Sequence, residues 1–206
     1  FGSTIEAAIS HNNEQVPDIS FILIDYLKEN ITNTGILKLP GHFQTMELIK
    51  KQLINININI NEKNNINNYK EYNIQIRDVN SAGQILKDYL RELQIPLIPY
   101  KQYIIWYNIS ISSKDVNQKN IVELIKELPL PHHILFLYLF NFFYLLQQHS
   151  DDNLMSSDTI SEEITSLIIR PKSSRNKKLY INEQLPKLKI LISYIINHFD
   201  QIRLLV

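Results

Sequence analysis

The sequence predicts an all-α domain. Apolar residues recur at helical spacing in segment after segment, most clearly Leu86, Tyr89, Leu90 and Leu93 at i, i+3, i+4 and i+7. Prolines stand at the expected ends of those segments, at Pro17, Pro96, Pro129 and Pro171. Period-two alternation, the mark of a half-buried strand, is confined to Ile54 through Ile60.

The elements follow in order. Val16 and Pro17 open the first helix, which carries Ile19, Ile22, Leu23, Tyr26 and Leu27. Asn30 to Gly35 reads as a turn, and Pro40-Gly41 punctuates a short second loop. Met46, Ile49 and Leu53 carry the next helix. An isoleucine–asparagine repeat then begins, and Asn-rich sequence continues to Asn73. Asparagine disfavours strands, so this stretch reads as a long inserted loop, with an edge hairpin as the alternative. Asn80 or Ser81 caps the Leu86 helix, and Pro96 and Pro99 end it. Ile121 to Leu128 forms a helix stopped by Pro129 and Pro131. Ile134 to Gln148 is an apolar central helix, Ser157 to Ile169 another, and Leu185 to Leu205 a long closing one.

Composition sets outer limits. The 206 residues suit one domain, with 44% hydrophobic and 20% charged residues. Formal net charge is zero, which argues against global attraction to nucleic acid. There is no cysteine, so disulfides and thiolate metal sites are excluded and a reducing compartment fits. The longest apolar run, Ile134 to Leu146, falls short of the roughly 20 residues a bilayer requires. Phe1 to Ser10 lacks the pattern of a signal peptide, and a start without methionine is read as a fragment of a longer chain.

Chemistry of a self-contained active site is missing. The four glycines cannot build a phosphate loop, and the six histidines show no metal-binding spacing, so no cofactor or metal is expected. His132-His133 reads as a solvent-facing pair at a helix start. Glu162-Glu163 and Asp151-Asp152 read as solvated termini. One feature departs from the bland pattern: Lys87 and Arg91 lie four apart on the polar face of the Leu86 helix. Either they are solvated with Asp88 and Glu92 as partners, or they form a patch that awaits an acidic partner.

Around that pair the sequence resembles a known family. Lys87-Asp88-Tyr89-Leu90-Arg91-Glu92-Leu93-Gln94-Ile95-Pro96-Leu97-Ile98-Pro99 is similar to the central K-x-Y-L-R-E-L-P-x-P-L-(L/I)-P motif of Rho GTPase-activating (RhoGAP) domains. Gly35-Ile36-Leu37-Lys38-Leu39-Pro40-Gly41 is similar to the finger loop G-(I/L)-F-R-x-S-G. Leu128-Pro129, Leu139 and Ser150 to Met155 resemble L-P-x-x-N…L…H-S-x-x-N-x-M, and Leu167 to Pro171 resembles the T-L-L-x-P ending. The resemblance implies a RhoGAP-like helical bundle over residues 16–206, interrupted by the Asn-rich loop. It also implies that Lys87 and Arg91 steady the finger loop and contact a GTPase.

Two departures stand out. The family's finger arginine is worth roughly 10³–10⁵ in rate, or about 4–7 kcal/mol. Lys38 stands there, with the charge but without the planar fork of donors. The family's GTPase-contacting asparagine, six residues beyond Asn153, is Thr159. The implied function is a non-catalytic pseudo-GAP that binds Rho/Rac-type GTPases through Lys38, Lys87, Arg91 and Thr159. The alternative is a weakly active GAP that uses Lys38.

Further segments resemble the inactive GAP-like domain of Lowe syndrome type inositol polyphosphate 5-phosphatases. These are the finger loop with its Pro40, Ile164 to Pro171, Val16 to Leu27, and Phe1 to Ala8. That resemblance makes residues 1–15 the tail of a preceding ASH-type β-sandwich domain, or a linker. It implies a phosphatase parent and cytoplasmic residence, peripheral on endosomal or other endomembranes. It also implies a second partner, short Phe- and His-bearing helical peptides of endocytic adaptors, in a groove that includes Phe21 and Phe1. Plain core packing is the other reading of Phe21. Arg170, Lys172, Arg175, Lys177 and Lys178 form a basic loop that reads either as solvated or as a contact to anionic lipid.

Overall fold

A computed structural model describes residues 1–8, 10–56, 66–112, 118–172 and 177–206. Among them the regular structure is helical, and the one β-type contact is an isolated parallel bridge between Asn12 and Ile66. The principal helices are α1 (Asp18–Glu29), α2 (Phe43–Ile54), α3 (Val79–Glu92), α4 (Tyr103–Ile111) and α5 (Gln118–Lys126). They continue with α6 (Leu130–Gln148), α7 (Ser157–Ile168) and α8 (Leu185–Asn197). Single turns at Ser150–Asn153, Lys177–Leu179 and Phe199–Ile202 and a π-helical turn at Tyr180–Gln184 complete the helical parts. No helix among the described residues is long and apolar enough to cross a membrane.

α6 is the axis of the core. Its Phe136, Phe140, Phe142 and Phe143 are fully buried, and Phe136 stacks on Phe140 with ring centroids 4.0 Å apart. Aromatic pairs in offset contact add about 0.5–1.5 kcal/mol beyond the area they bury. α1, α7 and α8 pack against α6. α7 and α8 share the most extensive helix–helix contact, and α3 lies between α1 and α7.

Several boundaries differ from the sequence expectation. α6 starts at Leu130 rather than Ile134, because Pro131 sits in the first turn, where its missing N–H costs nothing. α5 accordingly ends at Lys126, short of Pro129. α8 ends at Asn197, and Phe199–Ile202 forms a separate turn.

α4 was not expected at all. Its nine residues, YIIWYNISI, are apolar on every side and carry no periodic polar face, yet Trp106 is fully buried against Phe136. Residues 57–65, the heart of the asparagine repeat, lie outside the described residues. The end of the Asn-rich stretch is no loose loop. Tyr69–Tyr72 forms a 3₁₀ turn with an Asn68/Glu71 capping box, and Tyr69 and Tyr72 are buried.

Candidate functional site

The loop from Gly35 to Gly41 is held at both ends by backbone contacts. Gly35 takes the left-handed conformation, φ 70°, that glycine adopts without a Cβ clash. Its carbonyl accepts from the amides of Lys38 and Leu39, both at 2.8 Å, and its own N–H donates to the Asn153 carbonyl at 2.7 Å. Ile36 and Leu37 point into the core, while Lys38, Leu39 and Pro40 stand exposed.

α3 closes the other side. A Cβ added to Gly83 would sit 2.3 Å from the Ile36 carbonyl oxygen, so only glycine lets the helix approach the loop this closely. One built at Gly41 would sit 2.6 Å from the Ser81 Cα. The His42 amide donates to the Ser81 hydroxyl at 3.0 Å, and that hydroxyl donates to Asp78. Asp78 caps α3 by accepting from the Ser81 amide at 2.9 Å. Burial pushes its carboxyl up, but the bonds from Ser81 and from the His42 and Asn80 amides outweigh it and hold the group below the usual range.

Asn153 is the buried keystone under the loop. Its amide donates to the carbonyls of Ile31 and Leu146, both at 2.9 Å, and its side-chain oxygen accepts from the Met155 amide at 2.8 Å. One side chain thus joins the approach to the loop, the end of α6 and the entry to α7. Leu154 then turns through φ 60° to launch α7.

The Lys38 ammonium makes no hydrogen bond or ion pair with the described residues. Lys87 lies one turn beyond Gly83 on α3, with 6% of its surface exposed, and its Nζ is 2.9 Å from Glu163 of α7. It is neither solvated nor paired with Asp88 or Glu92, and Glu163 is no free terminus. Glu162 beside it pairs with Lys189 of α8. Thr159 sits one turn before Glu163, with its amide donating to the Ser156 hydroxyl at 3.2 Å. Lys87 and Thr159 therefore flank the same α3–α7 seam beside the loop. Arg91 is drawn aside and half-exposed, 2.5 Å from Asp88, which also accepts from Lys50 and Gln84, each at 3.0 Å. Burial raises the Asp88 carboxyl, and those bonds, Lys50 first, bring it below its ordinary range.

The stretch of sequence that builds this seam and loop falls within a match to a known family. A sequence model described as RhoGAP domain matches residues 17–173.

The chain belongs to the RhoGAP domain family.

Rho GTPase-activating protein gacEE of Dictyostelium discoideum is 23% identical over 87% of the chain and 30% of its own length. The gacJJ protein of the same organism is 29% identical over 78% and 17%. Mouse Rho GTPase-activating protein 24 is 24% identical over 98% and 26%. The chain thus spans a third or less of the length of these relatives. In fold it is similar to the crystal structure of human Rho GTPase activating protein 15, with a TM-score of 0.74, 18% identity, and coverage of 98% of this chain and 90% of that one.

The other expected positions scatter across this RhoGAP domain. Phe21, 2% exposed, is packed in the core between Tyr72 and Tyr138, with ring centroids 6.2 and 6.3 Å away. It presents no surface to a peptide. Phe1 is half-buried on Tyr89 at 5.9 Å and does not meet Phe21. Phe1 does help line a cavity of about 210 Å³ together with Ala7, Ala8, Pro17, Ile19 and Tyr89.

The basic loop is not a uniform cationic surface. Arg170 turns inward and donates to the carbonyls of Leu167 at 2.6 Å, Leu93 at 2.8 Å and Arg91 at 3.2 Å. Lys172, Lys177 and Lys178 are exposed, and Arg175 lies outside the described residues. His132 is not at the surface either. It is 1% exposed, with both ring nitrogens engaged.

Sequence reasoning missed two residues of the seam. Glu163 carried no signal beyond its neighbour's charge. Asn153 had one, since it is the asparagine of the N-x-M segment, but its three bonds reach residues 2, 7 and 122 positions away.

Proposed function

We propose that this domain binds Rho-family GTPases through the α3–α7 seam and accelerates their GTP hydrolysis little. The observation that carries the reading is Lys38: an exposed, unpaired ammonium at the tip of a loop that is otherwise fully pinned. A GAP of this family supplies a guanidinium to the charge that develops on the transferring phosphoryl group. An ammonium keeps the charge but lacks the fork that holds phosphate and water-positioning glutamine together. No other arginine stands on the loop. Arg91 and Arg170 are engaged elsewhere, and Arg203 pairs with Asp200 at 2.5 Å. Arg77, exposed just before the α3 cap, serves as the control. Thr159 is too short to replace the amide that the resemblance assigns there.

Single-turnover GTP hydrolysis by Rho, Rac and Cdc42-type GTPases tests this. The native chain is expected to accelerate hydrolysis by less than about 10²-fold, and Lys38→Arg to raise it toward the roughly 10³–10⁵ of a working finger. Strong acceleration by the native chain that disappears in Lys38→Ala would establish the weakly active GAP instead. Its disappearance in Arg77→Ala would point to a neighbouring arginine.

The Phe1 cavity favours a second, compatible reading: an apolar anchor of a short helical peptide seats there. Phe21 takes no part. A Phe- and His-bearing peptide that binds the native chain and Ala8→Trp equally would rule out this cavity. The phosphoinositide 5-phosphatase parent, with its endomembrane location, rests on the Pro40-containing loop and the Ile164–Pro171 run. A phosphoinositide 5-phosphatase domain in the same polypeptide would support it, and a full-length polypeptide without one would overturn it.

A further inference from the structure

The segment before α1 is fastened to the helical core by a bond that needs an extra proton. His132 Nδ1 lies 2.7 Å from the Leu97 carbonyl oxygen, and Nε2 lies 3.0 Å from a Glu6 carboxylate oxygen. A carbonyl only accepts, so Nδ1 carries a hydrogen. In a neutral ring Nε2 is then a bare acceptor that faces another acceptor. The contact is attractive only when one more proton sits between ring and carboxylate.

Glu6 is a poor holder of that proton. The Glu6 side chain is about half exposed, at 46%. Its carboxyl is held below the usual range by a bond to its own backbone N–H, with the His132 charge and the Thr4 hydroxyl adding to it against partial burial.

The surroundings leave the pair isolated. Glu6 is the one charged side chain in contact with the ring among the described residues, Leu97 supplies only its carbonyl, and His133 turns away to the Ile125 carbonyl at 2.9 Å. The rest of the segment docks through backbone bonds and apolar packing, with the Lys50 Nζ 5.8 Å and the Tyr89 ring 5.9 Å from the Phe1 ring. Ser3 accepts from the Gln94 amide at 3.2 Å, Gly2 from the Gln94 side chain at 2.8 Å, and Ile5 is buried.

We propose that Glu6 and His132 form a proton-dependent clasp that docks residues 1–8 onto α6 and the end of α3, and releases them as pH rises. The docked state holds one proton more than the open state, so docking weakens with rising pH. Release also removes Phe1, Ala7 and Ala8 from the wall of the 210 Å³ cavity. The clasp therefore sets whether that cavity exists, whatever occupies it, and it does not depend on the GTPase reading.

Amide hydrogen-exchange protection of residues 2–8 reads the docking in the whole chain. In the native protein, protection is expected to fall at least about tenfold from about pH 6 to about pH 9, the range over which an imidazole changes charge. Glu6→Gln is the decisive variant, because its amide donates to a neutral ring and keeps the bond without the proton. It sits at the surface and leaves the fold untouched. Its segment is expected to stay docked with a flat pH profile. Equal slopes in both proteins, or a flat native profile, would overturn the clasp. Nitrogen chemical shifts of the His132 ring give an independent reading. A docked segment should go with a ring that carries a hydrogen on both nitrogens, and a singly protonated ring with the segment docked sinks the proposal.

Discussion

Two ends of the bundle solve the burial of polar groups in opposite ways. At the seam around the Gly35–Gly41 loop, Gly35, Gly41 and Gly83 let chains approach, the Ser81 hydroxyl accepts from the His42 amide, and Lys87 crosses to Glu163. At the start of α1, one buried carboxylate gathers its surroundings. Asp18 accepts from the His11 amide at 2.8 Å, the His11 ring at 2.6 Å, Asn12 at 2.9 Å and the Tyr72 hydroxyl at 2.5 Å. The difference bears on the proposed GTPase contact. The Asp18 end turns its polar groups inward, whereas the seam is fixed without using Lys38, which has no hydrogen-bond or ion-pair partner among the described residues.

The largest effect should fall on the Asp18 end. Asp18→Ala strands several buried donors, each costing about 1–3 kcal/mol, so a loss on the order of 4 kcal/mol is expected in chemical denaturation. GTPase affinity of the folded fraction should not change. If it drops, the two ends are coupled and the contrast fails.

Gly83→Ala should come next. The added methyl must displace the Ile36 carbonyl, at a cost of about 1–3 kcal/mol, and GTPase affinity should fall with it. A destabilised variant with native affinity would show that loop placement does not set binding.

The smallest substitution effect is expected at the ion pair. Glu163→Gln keeps a hydrogen-bonding group beside Lys87, and the pair is partly open to solvent at the Glu163 side, so about 1 kcal/mol is expected.

pH separates the two ends without mutation. Burial first, and then the Asp18 carboxylate, raises the Tyr72 hydroxyl at the start of α1, and burial with Asp25 and with Glu29 raises Tyr138 and Tyr69 further along the same helix. Unfolded tyrosine ionises near about 10, so the stability these groups contribute is complete below that pH and is lost as pH rises beyond it. Asp78 and Asp88 are depressed, so their contribution is present above the ordinary carboxylate range and disappears as pH falls through their folded values. Amide exchange should open α1 first in alkali and the seam first in acid. Glu29 is also depressed, by its bonds from Lys70 and Tyr69, but it is largely exposed and adds less to acid lability.

Much of the seam was legible in the chain. The spacing of Leu86, Tyr89 and Leu90 placed α3, and the Gly35–Gly41 run placed the loop and Lys38 on it. What failed had a physical cause in each case. α4 has no polar stripe, so periodicity could not detect it. Lys87 was read on a polar face, because a helix wheel does not show that α7 brings Glu163 across to it. His132 looked like a solvent-facing helix start, because Glu6 and Leu97 reach it from 126 and 35 residues away.

The sequence by itself determined the helical class and the family motifs, since those depend on local spacing and residue type, and it is the source of the reading that Lys38 stands where an arginine is expected. Only the tertiary structure decided which charges are used up and which stay free. Lys87 and Arg170 are bound by partners on other elements, Arg91 is held by Asp88 of its own helix, and Lys38 has no such partner among the described residues. A side chain's availability depends on what packing brings next to it, and packing joins residues that the chain keeps far apart.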